Sequence, residues 1–130
     1  SAIEDIPHEF THHLGAFIVK QSDVTDYIAT YDPIVLRWSI KSGTKILPPN
    51  ARCYNFGNSK GLGFDRVLIL PAESQMKFVL DGNTTFSPDE ETAQNKLYVA
   101  ITRARYSLGF IVPDKKAEGL RFSTWTKTID

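Results

Sequence analysis

Cysteine is nearly absent from this chain: Cys53 stands alone among 130 residues. One thiol cannot close an internal disulfide, so the fold must be held by its core, and a reducing, cytoplasmic setting is expected in place of secretion. Net charge is missing too. Fifteen basic side chains are balanced by fifteen acidic ones, so any attraction to a polyanion has to come from a local patch. No apolar run approaches the roughly 20 residues that a membrane helix needs, so no membrane partner is expected. The opening SAIEDIPHEF has neither the basic start nor the apolar centre of a signal peptide. The sequence has no internal repeat and no low-complexity tract. It begins without methionine at a point that reads as mid-protein, so a domain excised from a longer protein is expected, with Ser1 as an added residue.

What is present is ordinary globular material. Apolar residues make up 42% and charged residues 23% of a chain long enough for one compact domain, expected to span residues 1 to 130. Short apolar runs alternate with turn and cap signals. GAFIVK (15 to 20) predicts a strand. SDVTDYIATY (22 to 31) predicts a short helix, with Ser22 as N-cap, Asp23 in the first turn and Asp32-Pro33 as the stop. IVLRWS (34 to 39) predicts a second strand and KSGTKILPPN (41 to 50) a loop. ARCYNFG (51 to 57) is a strand, NSKGLGF a glycine-rich turn, and RVLILP (66 to 71) a run apolar on both faces, as a buried central strand requires.

Residues 87 to 104, SPDEETAQNKLYVAITRA, predict the clearest helix. Ser87 and Glu90 form a capping box, Pro88 takes the first helical position, and Ala93, Leu97, Ala100, Ile101 and Ala104 share one face. YSLGFIVP (106 to 113) follows as a strand, and Leu120, Phe122 and Trp125 are expected to tether the tail. Strands alternating with helices, with doubly apolar strands among them, argue for an α/β layer around a largely parallel sheet.

Two stretches carry the candidate chemistry. SKGLGFDRVLIL (59 to 70) sets Lys60, Gly61 and Gly63 before a buried strand, where glycines let backbone amides approach an anion. KLYVAITRAR (96 to 105) ends in two arginines. On a continued helix Arg103 lies about 110° from the centre of the apolar face and Arg105 about 90° to the other side. Arg105 then reads as a last-turn cation answering the helix dipole. In a parallel sheet, strand ends are where turns and helix termini converge on a ligand.

These two stretches resemble motifs V and VI of superfamily 1 DNA helicases of the UvrD/Rep type, and their order and the capped helix between them are similar to the second RecA-like domain of those enzymes. The resemblance covers residues 51 to 113 clearly and residues 1 to 50 loosely. It implies a RecA-like fold and an ATP cleft shared with an N-terminal RecA-like domain of the same polypeptide. Arg103 is then the arginine finger that reaches the γ-phosphate, with Lys60, Gly61, Gly63 and Thr102 at the ATP cleft and Asn55, Gly57, Asn58 and Ser59 against single-stranded DNA. An arginine suits the role, because its planar, permanently charged fork meets the charge that develops on phosphoryl transfer.

The pattern also departs from the family. Gly63 stands where a glutamate usually holds the ribose, Gly57 where a histidine is common, and Asn55 where a threonine is common. The motif IV arginine is replaced at best by Arg37. No G-x-x-x-x-G-K-[ST] loop occurs, so the phosphates of ATP and its Mg2+ would be held mainly by the missing half, and this chain alone should not hydrolyse ATP. DEET (89 to 92) imitates a Walker B string but opens a helix. HEFTH spells H-E-x-x-H, which on a helix would offer His8 and His12 to zinc with Glu9 as base; Pro7 and Gly15 leave barely two turns for it. A third reading keeps the fold without the catalysis, as a nucleic-acid or partner-binding module. Lys60, Arg66, Lys77, Lys96, Arg103 and Arg105 would form its patch, and Tyr54, Phe56 and Phe64 would stack on bases.

Overall fold

A computed structural model describes residues 6–82 and 85–128. It is an α/β fold of the RecA-like or Rossmann-like kind: six strands, all parallel, in the order β3-β2-β4-β5-β1-β6, flanked by three helices. The strands are β1 (Gly15–Lys20), β2 (Ile34–Arg37), β3 (Arg52–Asn55), β4 (Phe64–Ile69), β5 (Ala104–Val112) and β6 (Ser123–Thr124). The helices are α1 (Val24–Tyr31), α2 (Glu73–Asp81) and α3 (Glu91–Ile101).

Period-two alternation sends each strand's side chains into two cores. Ile18, Leu36, Val67, Ile69 and Phe110 face α2 and α3, where Val79, Leu97 and Ala100 meet them. Val19, Val35, Leu68 and Ile111 point the other way, onto Val24, Tyr27 and Ile28 of α1. This explains why RVLIL is apolar throughout: as an interior parallel strand, β4 is covered on both faces. The tail closes the far edge. The Trp125 amide donates to the Ile18 carbonyl at 2.8 Å, and Phe122 stacks on Phe110 at 5.3 Å, as the sequence predicts for this segment.

Two local expectations need correction, and α2 forms where the sequence reading assigns no element. Ser22 is not the cap of α1. A 3-10 turn, Gln21–Asp23, precedes the helix, and the Ser22 amide donates instead to Asp114 Oδ1 at 3.1 Å. The C-terminal signal does hold: Asp32 takes the left-handed conformation, φ 47°, before Pro33. Helix α3 ends at Ile101, not 104, so Arg105 is no last-turn cation; it lies within β5. Finally, α2 lacks the usual N-terminal signature, because Ala72 occupies its N-cap. Gln75 does the work from inside. Its fully buried amide accepts from the Ala72 N–H at 2.8 Å and donates to the Ala93 carbonyl at 2.9 Å, locking α2 to α3.

The α3 entrance follows the sequence reading. Pro88–Glu90 form a 3-10 turn that leads into the helix, and the Glu90 carboxylate accepts from the Ser87 amide at 3.0 Å. DEET therefore opens a helix. These contacts and the Lys77 ammonium, 3.0 Å away, pull the Glu90 pKa down to about 2, the Ser87 amide contributing most.

Candidate functional site

The turn between β3 and β4 and the exit of α3 come together. Phe64, first in β4, donates its amide to the Arg103 carbonyl at 2.8 Å. A Cβ placed at Gly63 would stand 3.2 Å from Arg105 Nη2. The two stretches singled out by sequence are thus neighbours, at the amino ends of β4 and β5.

Arg103 is aimed by the end of its own helix. Thr102 closes α3, its hydroxyl donating to the Val99 carbonyl at 2.9 Å. The Arg103 Nε–H donates to the same carbonyl at 3.1 Å, and Nη2 donates to Thr102 Oγ1 at 3.1 Å. A cation over unsatisfied C-terminal carbonyls is favourable by a few tenths to about 1 kcal/mol. The guanidinium is half-buried against these groups and is not enclosed in the core. Arg105, more exposed, pairs with Asp65 at 2.9 Å.

The turn divides its residues between two edges. Register places Arg52 of β3 and Val67 of β4 both opposite Ile34. Asn55 therefore sits at the carboxyl edge, and Phe64 well down at the amino edge. Residues 56–63 run back between them beside α3. Phe56 anchors this passage in the core, while Gly57 and Asn58 are exposed. Ser59 is fully buried and donates its hydroxyl to the Phe56 carbonyl at 2.7 Å, so it holds the 3-10 turn together and presents nothing to a strand of DNA. Lys60 is exposed and borders a shallow hollow of about 240 Å³ with Gly57, Asn95 and Lys96. Gly61 adopts φ 77°, which glycine tolerates at no steric cost. Asn55, Gly57 and Asn58 therefore lie toward one edge, and Gly61, Gly63, Thr102 and Arg103 toward the other.

The broad basic patch does not form. Lys77 is taken up by Glu90, and Lys96 lies 3.9 Å over the Trp38 ring. Phe56 is fully buried, and Arg66 is only 6% exposed. Arg37 is spent on the adjoining loop, with Nη1 donating to the Ser42 carbonyl at 3.3 Å. HEFTH is no zinc helix: His8–Phe10 make a single 3-10 turn, so His8 and His12 do not share a helical face.

Sequence reasoning missed what the next histidine does. His13 is buried, stacked on Tyr31 at 3.9 Å and Phe17 at 4.1 Å, and a 2.8 Å hydrogen bond joins its Nε2 to the Tyr27 hydroxyl. Burial, then the nearby Arg66 charge, lowers its pKa to about 4. Its carbonyl accepts from Arg66 Nη1, which also donates to Ser107 Oγ at 2.9 Å. The Arg66 guanidinium lies between the Phe10 and Tyr31 rings, 5.2 and 5.1 Å from their centroids. Beside it opens a cavity of about 370 Å³, bounded in part by Gly63 and Arg105. The only sequence hint was a charged residue inside an apolar central strand.

Among the described residues no helix is long and apolar enough to cross a membrane. No family model and no curated protein matches the chain.

Proposed function

We propose that this chain is the C-terminal motor half of an ATP-dependent DNA helicase, contributing Arg103 to an ATP cleft whose other wall is an N-terminal RecA-like domain. The observation that carries the reading is the junction at the amino ends of β4 and β5. There the glycine turn is hydrogen-bonded to the backbone of the arginine segment, Phe64 N–H to the Arg103 carbonyl. Such a junction passes displacement of one segment directly to the other, as coupling between nucleotide and DNA demands. Arg103 leaves its resting contacts at modest cost, since they are two hydrogen bonds at a partly exposed helix end. The chain has no G-x-x-x-x-G-K-[ST] loop, so in this reading the β- and γ-phosphates and Mg2+ fall to the partner domain.

In the full-length protein, Arg103→Ala is expected to leave ATP binding near normal and to slow hydrolysis by ~10³ or more. Single-turnover ATPase assays with nucleotide binding measured in parallel check this; a variant as fast as the parent removes Arg103 from the mechanism.

One observation favours the non-catalytic module instead. The Arg105 guanidinium fills the space beside Gly63 where the resemblance calls for a carboxylate. Reconstitution with the N-terminal half separates the readings, because an active motor loses ATPase on Arg103→Ala and a passive binder has none to lose.

A further inference from the structure

We propose that the cavity beside Arg66 is a binding site for a nucleoside monophosphate unit, the phosphate taken by guanidinium groups and the base by aromatic rings.

Charge is the first argument. Arg52, Arg66 and Arg105 border one cavity of about 370 Å³, together with Asp32 and Asp65. Arg52 is paired with Asp32 at 3.1 Å and Arg105 with Asp65 at 2.9 Å. Arg66 forms no ion pair among the described residues, and three arginines against two aspartates leave the lining with a net charge of +1. A buried cation is costly unless paired or well hydrogen-bonded. Among the described residues Arg66, 94% buried, donates from Nη1 to the His13 carbonyl and Ser107 and lies over the Phe10 and Tyr31 rings. A phosphate in the cavity offers acceptors that match a guanidinium.

Shape and wall chemistry are the second. Tyr54 is 40% exposed, its ring 5.4 Å from that of Phe64, and both border the cavity together with Phe10 and Tyr31. Exposed aromatic surface beside guanidinium groups suits a flat base joined to a phosphate. The volume falls within the range of sites for one small ligand, roughly 300 to 1,000 Å³. The unit could be a free nucleotide or the phosphorylated end of a strand; the chemistry is the same. The cavity shares Gly63 with the ATP cleft of the helicase reading, but Arg52, Arg66 and Tyr54 take no part in that reading, so variants at these three bear on this proposal and Arg103-dependent ATPase on the other.

The test is titration of the chain with dTMP, thymidine and a 5′-phosphorylated oligothymidine, followed by amide chemical shifts at Gly63, Phe64 and Arg66. Shifts confined to this cavity are expected, with dTMP binding at least ten-fold more tightly than thymidine. The Arg52→Ala and Tyr54→Ala variants, at exposed positions that should not disturb folding, are each expected to weaken dTMP about ten-fold. Arg66→Met, checked for folding by circular dichroism, should abolish binding. A phosphorylated strand binding more tightly than dTMP identifies a strand end as the source, and equal binding identifies a free nucleotide; either supports the site. Thymidine binding as well as dTMP, unchanged binding in Arg52→Ala and Tyr54→Ala, absence of shifts at millimolar dTMP, or preference for phosphotyrosine over dTMP would each overturn it.

Discussion

Arg66 and His13 form the buried polar pair on which the N-terminal lead-in hangs. Arg66 ties the His13 carbonyl to Ser107 of β5, so Arg66→Met leaves that carbonyl without its donor. The expected loss is about 1–3 kcal/mol, read from urea unfolding midpoints. His13 adds a pH dependence of definite sign. Its pKa falls from 6.5 in the unfolded chain to about 4 in the fold, so between those values the unfolded chain binds the extra proton. Stability is therefore full above about pH 6.5, declines as pH drops toward 4, and levels off below, by up to about 3 kcal/mol. Denaturant midpoints between pH 4 and 7 should show this slope, and His13→Gln should flatten it. Neither role was legible in the sequence. HEFTH drew attention to His8 and His12, which are exposed, while the buried member of the group is the adjacent His13. A side chain's burial depends on what folds over it, here Tyr27 and Tyr31 of α1, fourteen and eighteen residues away.

Helix α3 illustrates how far local chemistry reaches. Its entrance was readable because a capping box and an N1 proline act within four residues. Its exit was not, because Ala104 continues the apolar face while β5 pairing claims the same residues: Phe64 stands opposite Ala104 in the ladder. The strand takes them, which moves Arg105 off the helix and toward Asp65. The cap itself is testable. Glu90→Gln removes the charge that accepts from Ser87 and Lys77, and is expected to lower the thermal midpoint by a few degrees at pH 7. The depressed Glu90 pKa means that this contribution is present above about pH 4.5 and is lost as pH falls toward 2, so parent and variant should converge in acid. Helix α2 is the opposite case. Its organising residue, Gln75, is polar and fully buried, which interrupts the apolar periodicity from which a helix is inferred.

At the scale of the whole molecule the sheet is closed by its ends. Trp125 is 8% exposed, packs edge-on against Tyr27 at 5.2 Å and donates its indole N–H to the Tyr31 hydroxyl at 3.2 Å. Trp125→Ala should cost about 3–5 kcal/mol, measured by chemical denaturation, since it opens a void in the core under α1. The sequence by itself determined the α/β class, the parallel sheet, the central place of β4 and the nearness of the glycine turn to the arginine segment. Those follow from alternation, chain order and burial on both faces, which are properties of short stretches. Only the tertiary structure decided which edge of the sheet each candidate residue reaches, that Ser59 is consumed inside its turn, and that Arg66 borders a charged cavity. Those outcomes depend on strand order and register, where residues distant along the chain become neighbours through backbone pairing that no local pattern encodes.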